Sequence, residues 1–278
     1  MKVVSAVSAR RSFCKNLLVS WPNLQKTAVS NSVPDSSASK RSAHGNNQPA
    51  PLSFWQRYQA PVLLTLVGGA IDTIGFITLF GFFTAHVTGN LVMAGSGLVN
   101  GEDGLWIKLA ALPLFILTVM VTKVFIDKSH KPQLMLSHLF LAEALFLTAF
   151  MVAGLYFQPF TDAGDITVAM TGGLGLIALA IRNTASKTVI KHMSPTVLMT
   201  GNTTQLGINL TDYLRNRTPD NAKKLVNSSA LVLSFLLGAL VGALLYLKLS
   251  FWAVGLFVLP VLYLSVMARD KDFLSHIG

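Results

Sequence analysis

Six apolar segments, each close to the length that crosses a lipid bilayer, follow one another after residue 60. An α-helix needs about 20 predominantly apolar residues to span the hydrocarbon core of a membrane. Only 12% of the 278 residues are charged and 52% are hydrophobic, unlike a soluble globular domain. The sequence therefore predicts an all-α, multi-pass transmembrane helical bundle with six spans, at about 61–83, 105–126, 134–157, 164–183, 225–247 and 250–268.

The first 55 residues differ from everything that follows. They are polar and basic, with Asp35 as the only acid and no pattern of core residues, so we predict a disordered tail at 1–55 and a transmembrane domain at 56–270. The longest apolar run of the tail is too short and interrupted for a signal peptide. Its composition does fit an organelle transit peptide, which remains an alternative.

The positions of Lys and Arg predict the orientation of the spans. They are concentrated in the tail, in 127–133, in 184–224 and after the last span, whereas 84–104 and 158–163 contain none. Positive loops face the cytoplasm. We expect both termini to be cytoplasmic, in the inner (cell) membrane or, if the tail is a transit peptide, in an organelle membrane. This distribution accounts for the net charge of +10, so no nucleic-acid partner is expected.

Two similar heptapeptides indicate an internal duplication. "TAHVTGN" occupies 84–90 and "TVLMTGN" occupies 196–202, so a shift of 112 residues superimposes them. Each copy contains three predicted spans, and an odd number makes the second copy enter the membrane from the opposite side. The sequence therefore predicts two inverted three-helix repeats, at about 60–157 and 164–268, an arrangement common in secondary transporters.

Asp72 is a polar residue deep in the first apolar segment, within "GGAIDTIG". Asp72 and Glu143 are the only acids in the middle of predicted spans, where an ionisable group usually faces a cavity or a partner. Asp72 is either a functional carboxylate or a structural one bonded to Thr73 or to a neighbouring helix. For Glu143, pairing with a Lys or Arg is the favoured interpretation. With a one-residue gap, Asn183 is the counterpart of Asp72 in the second copy.

The two TGN tripeptides have a mechanical interpretation. Thr and Asn favour helix N-termini, whose amides bind polar or anionic groups, so each tripeptide could begin a short helix that points into the protein. The alternative is a capped loop without a ligand. The candidate substrate-binding residues are Asp72, Thr88, Gly89, Asn90, Asn183, Thr200, Gly201 and Asn202.

No catalytic, cofactor or metal site is predicted. The six histidines lack metal-ligand spacing, and Cys14 is the only cysteine. His86 and His138 are interpreted as satisfied polar residues. The "GALVGALL" segment, with Gly238 and Gly242, is interpreted as a close helix-packing face.

The segments "GGAIDTIGFITLFGFFTAHVTGN", "ALAIRNT" and "LMTGNTTQLG" resemble the YoaK-like family of bacterial six-span membrane proteins. The resemblance covers about residues 60–268. It implies a multi-pass inner-membrane protein in which the Gly, Asp and TGN positions form the recurring pattern.

Three hypotheses for function follow. The first is a small-solute transporter or channel with a polar site near the bilayer midplane, formed by Asp72 and the TGN elements. The second is a non-transporting scaffold or accessory protein whose glycines and asparagines serve packing. An intramembrane enzyme is a distant third, so we expect no enzyme. The expected partners are the lipid bilayer and an unknown small solute, and the sequence leaves homo-oligomerisation open.

Overall fold

A computed structural model describes residues 54–129, 131–190, 199–270 and 273, all within the compact unit Ala50–Gly278. The predicted tail lies outside these residues, apart from Phe54 and Trp55 at the start of the first helix. All regular structure in the described ranges is helical, which confirms the predicted class. The helices are α1 (Phe54–Thr78), α2 (Val87–Asn100), α3 (Leu105–Lys128), α4 (Pro132–Phe157), α5 (Ile166–Thr188), α6 (Met199–Arg215), α7 (Pro219–Leu249) and α8 (Trp252–Met267).

Five of these helices are long and apolar enough to cross a membrane: α1, α3, α4, α5 and α7. The sixth predicted span corresponds to α8, which is apolar but has only 16 residues. At 1.5 Å per residue α8 is about 24 Å long, shorter than a typical hydrocarbon core of about 30 Å. The chain is a multi-pass membrane protein, and its described residues contain five helices that are long and apolar enough to span the bilayer.

The long helices form a centre and a periphery. α1 and α5 are the most buried spanning helices, whereas α3 and α7 expose most of their surface. α1 packs against α7 and α8, α5 packs against α3 and α4, and α4 also contacts α8. The short helices α2 and α6 each pack on the long helix that follows them, α3 and α7.

α1 and α5 run in opposite directions where they meet. Thr84, just beyond the end of α1, lies between Gly75 of α1 and Gly175 of α5, so close that a Cβ on either glycine would lie within 2.9 Å of its methyl group. Towards the start of α1, Leu64 accepts a hydrogen bond from Arg182, near the end of α5. The later part of α1 therefore faces the earlier part of α5, and vice versa.

α1 and α7 approach closely because glycines remove side chains from their interface. A Cβ on Gly238 would overlap the carbonyl oxygen of Leu66, and one on Gly242 would lie 2.7 Å from Cα of Ala70. Gly69 on α1 is in equally close contact with the backbone of α7. The predicted packing face of "GALVGALL" is confirmed.

Candidate functional site

Asp72 is the buried centre of a small polar site. It lies six residues before the end of α1, about 9 Å along the helix axis. Its Oδ1 accepts hydrogen bonds from the Ala85 backbone amide at 2.6 Å and from the Thr84 hydroxyl at 3.3 Å. Its Oδ2 lies 2.6 Å from Nδ1 of His86. The predicted structural alternative named Thr73 or a neighbouring helix, whereas these three partners come from the segment that follows α1.

His86 connects this carboxylate to the surface. The Asp72 side chain is 6% exposed and the His86 side chain 32% exposed. The hydrogen bond to Asp72, reinforced by the charge of that carboxylate, raises the pKa of His86 above its usual value of 6.5, although burial of the ring acts in the opposite direction. The edges of the His86 ring contact Phe83 and Phe235, with centroids 6.0 and 5.6 Å away. The pair is therefore an ion pair over a wider pH range than a free histidine would allow.

The chain folds back over the end of α1 to make this contact. Phe80 and Gly81 both have positive φ, 51° and 76°, and they reverse the chain direction after α1. Asn90 then fixes the returning segment, because its Oδ1 accepts from the Phe83 amide and its Nδ2 donates to the Phe83 carbonyl, both at 2.8 Å. A Cβ on Gly89 would lie 2.9 Å from the Phe83 ring, so glycine leaves room for that ring.

The first TGN tripeptide therefore acts differently from its predicted role. It does lie at the start of a short helix, as expected, but α2 begins at Val87 and its N-cap, His86, makes no side-chain capping bond. Thr88 is exposed, whereas Asn90 is fully buried and bonds back to the preceding segment. Asn90 holds the segment that carries His86 and does not cap the helix.

The second tripeptide repeats only part of this arrangement. Thr200 and Gly201 are exposed on α6, and Asn202 is buried with its Nδ2 3.8 Å from Sδ of Met199. Residues 191–198, which precede α6, lie outside the described ranges. In the sequence the 112-residue shift pairs Phe83 with Pro195, which has no N–H to donate, so the two hydrogen bonds of Asn90 cannot both be repeated.

A second ion pair lies deeper in the bundle. Arg182 donates through Nη2 to Oε1 of Glu143 and through Nη1 to the Leu64 carbonyl, at 2.5 Å in the latter case, and both charged side chains are fully buried. The prediction that Glu143 pairs with a basic residue is confirmed. Within the described ranges, Oε2 of Glu143 and Nε of Arg182 have no hydrogen-bond partner. This cluster joins α1, α4 and α5.

Asn183 is placed away from these clusters. It lines a groove of about 460 Å³ between α3 and α5, together with Lys123 and Lys187. The residue of α5 that reaches α1 is its neighbour Arg182. Asn183 therefore faces α3 and does not contact Asp72, and its correspondence with Asp72 in a repeat stays a prediction.

The two ion pairs occupy different levels along α1. The carbonyl of Leu64 accepts a hydrogen bond from Arg182. Leu64 precedes Asp72 by eight residues, or about 12 Å of helix. Sequence reasoning identified the acid of each pair, Asp72 and Glu143. It did not identify their basic partners, His86 and Arg182. The available signals were a histidine two residues before TGN and a basic residue inside a predicted span.

Comparisons with known proteins agree with the membrane architecture. A family described as "Protein of unknown function (DUF1275)" matches residues 60–267. UPF0700 transmembrane protein YoaK of Bacillus subtilis (strain 168) is 30% identical over 141 residues, which are 49% of this chain. The match spans 60% of the length of that relative. No solved structure matches the chain.

Proposed function

This chain belongs to the DUF1275 family, which includes YoaK-like transmembrane proteins, and on that premise we propose that it transports a small solute across its membrane. The Asp72–His86 pair carries the proposal. An ionisable side chain inside a membrane costs a few kcal/mol, and such groups typically mark ion, proton or substrate pathways. Here the buried carboxylate contacts a histidine that is one-third exposed, so a titratable group links the helix interior to the surface.

The packing supports two inverted repeats. We count the eight described helices cyclically and replace each helix by the one four positions later. The contact of α1 with α7 then corresponds to that of α5 with α3, and the contact of α2 with α3 to that of α6 with α7. The contact of α4 with α5 corresponds to that of α8 with α1. Each of these pairs is in contact, and the equivalent helices α1 and α5 are antiparallel. We take α8 as the sixth span on this basis, which puts α2 and α6 at opposite faces of the membrane.

Two buried charge pairs at separate levels fit alternating access. Asp72 and His86 lie towards the end of α1, and Arg182 and Glu143 lie about 12 Å nearer its start. In the proposed cycle, the two halves rock about the crossing of α1 and α5, and a solute or proton that neutralises Asp72 weakens its attraction to His86. His86, which is partly exposed, then separates from the carboxylate, and the site opens on the side of the membrane nearest the end of α1.

The location proposed for the cycle is the inner membrane, with both termini in the cytoplasm. The end of α3 carries Lys128 and the connection around α6 carries Arg215, whereas residues 84–104 have no Lys or Arg. The Asp72–His86 pair would then be nearer the outer face, and the Arg182–Glu143 pair nearer the cytoplasm.

A scaffold role is the second candidate, and the glycine-lined contact between α1 and α7 favours it. Close packing of this kind stabilises membrane bundles whether or not they move a solute. Under a scaffold role, Asp72 would be a structural acceptor for Thr84 and Ala85, and a neutral residue of the same shape would replace it.

The replacement Asp72→Asn separates these roles. Asparagine keeps the size and one acceptor oxygen but cannot pair with a charged histidine or carry a proton at the acid oxygen. We expect a folded, monodisperse protein whose uptake of labelled metabolites into proteoliposomes falls about tenfold or more, equivalent to about 1.4 kcal/mol. Asp127→Asn, at an exposed carboxylate near the end of α3, is the matched control and should transport normally.

Wild-type proteoliposomes that accumulate no member of a broad panel of amino acids, sugars and organic acids would argue for the scaffold role. Normal uptake by Asp72→Asn at every pH would show that Asp72 is structural.

A further inference from the structure

An open cavity of about 830 Å³ lies where α1 and α2 end and α3 begins. One part of its wall is apolar and comprises Phe76, Phe80 and Met93. Phe76 stacks on Phe83, with ring centroids 4.7 Å apart, and so connects this wall to the segment that carries His86. The volume is in the range of pockets that hold small ligands.

The cavity contains a buried ammonium group. Lys108, in the first turn of α3, lines it, although the residue is only 4% exposed. Its Nζ forms an ion pair with Oε2 of Glu102 at 3.7 Å, a separation too long for a hydrogen bond. A lysine ammonium has three N–H donors, and burial without acceptors is costly. The N–H donors of Lys108 are therefore available to an anionic group in the cavity.

Carboxylates surround this ammonium and exclude a simple anion. Glu102, Asp103 and Asp162 all line the cavity and are exposed. One oxygen of Asp162 accepts from the Gly164 amide at 2.7 Å, which fixes that side chain. Three acids and one base would repel a lone anion overall, whereas a lone cation would compete with Lys108 for the carboxylate of Glu102. A ligand that carries both charges satisfies both groups.

We propose that this cavity binds a zwitterionic α-amino acid with an apolar side chain. The ligand carboxylate accepts from Lys108, its ammonium donates to the acids around Glu102 and Asp103, and its side chain lies against Phe76 and Phe80. This assignment names the substrate class of the proposed transporter and rests on that function for its physiological role. Binding itself can be measured without transport.

The test compares L-leucine with two analogues that each lack one charge, namely isopentylamine and 4-methylpentanoate. Titration calorimetry with purified protein should show leucine binding at least about tenfold more tightly than either analogue, since each analogue lacks one of the two charged contacts. Lys108→Met should weaken leucine binding about tenfold or more. Lys123→Met, at an exposed lysine on the same helix, should bind leucine as wild type does.

Equal affinity for leucine and its analogues, or unchanged binding by Lys108→Met, would overturn the proposal. If Lys108→Met does not fold, Asp103→Asn changes an exposed carboxylate and should weaken leucine binding about threefold or more; an unchanged affinity would contradict the assignment. Leucine binding without leucine uptake would support the site and contradict transport. Uptake of another solute, with no leucine binding, would support transport and remove the site.

Discussion

At the scale of single residues, the Asp72–His86 contact depends on the short segment between the two side chains. The Asp72 carboxylate accepts hydrogen bonds from the Ala85 amide and the Thr84 hydroxyl. It therefore holds the backbone immediately before His86. Thr84 in turn fits between glycines of α1 and α5. The ion pair and the contact between α1 and α5 therefore share the same short segment.

The raised pKa of His86 predicts a pH-dependent stability. A histidine whose folded pKa exceeds its unfolded value stabilises the folded state fully below the unfolded value, here 6.5, and loses that contribution as the pH rises through the raised folded pKa. The melting temperature of wild type minus that of His86→Gln should thus be largest below pH 6.5 and shrink above it. Each kcal/mol lost corresponds to about 2–4 °C in a chain of this size.

The groups that face His86 are Asp72 on α1 and the uncharged rings of Phe83 and Phe235. His138→Gln changes an exposed histidine on α4 and should track wild type across the range. A wild-type advantage over His86→Gln that stays constant from acid to alkaline pH would contradict the ion pair.

Sequence reasoning located the acid of the site but not its partner. The sequence alone shows that Asp72 interrupts an apolar helix. Because a charge there is costly, the sequence also implies that a compensating partner exists. The compensation comes from a turn with positive φ at Phe80 and Gly81, and a sequence does not show where such a turn directs the next residues. Asn90 was noticed as a repeated residue, yet its function as a clamp on Phe83 needed coordinates.

At the scale of helices, the bundle combines one tight and one looser contact. α1 meets α7 through glycines on both helices, whereas α3 and α5 leave a groove between them. Spacing alone revealed the packing face on α7, because Gly238 and Gly242 are one turn apart. It did not identify the partner helix, since any neighbouring span could have occupied that face.

The close contact of α1 and α7 predicts strong sensitivity to a single methyl group. Gly238→Ala places a Cβ against the Leu66 carbonyl, so the helices must separate, and we expect a loss of about 1–3 kcal/mol in stability. Gly95→Ala in α2 is the control, because its Cβ meets no described atom within 4 Å and alanine favours a helix by up to about 1 kcal/mol.

Thermal unfolding of both variants in the same detergent measures the difference. Gly238→Ala should melt below wild type and Gly95→Ala at or above it. Similar melting temperatures for all three proteins would show that the backbone approach does not limit the bundle.

At the scale of the whole molecule, the packing of the helices is compatible with the proposed duplication, because exchanging each helix for the one four positions later gives pairs that are also in contact. The TGN tripeptides and the 112-residue shift predict a repeat, but the charges do not follow it. Thr184 and Leu198 stand where the shift would repeat Asp72 and His86. The halves of the proposed repeat therefore differ in their ionisable residues, and the matching TGN tripeptides alone overestimate the likeness of their sites.

The inverted arrangement predicts that α2 and α6 lie on opposite sides of the membrane. Reporter fusions after residue 95 should report the outer side, and fusions after residue 215 the cytoplasm, because an odd number of spans separates them. A phosphatase reporter, active outside, and a fluorescent protein, active inside, give complementary signals. If both fusions report one side, the chain does not contain inverted three-span repeats.

The buried pair between Arg182 and Glu143 also constrains how the protein is made. α5 has the lowest mean hydropathy of the five long apolar helices, at 1.4, and it carries an arginine, whose insertion alone costs up to about 2.5–3.5 kcal/mol, the value at a helix centre. The neutralising carboxylate lies on α4, the helix synthesised immediately before. α4 and α5 can therefore leave the translocon as one hairpin with its charges already matched, and the ribosome supplies the two partners in the order that insertion requires.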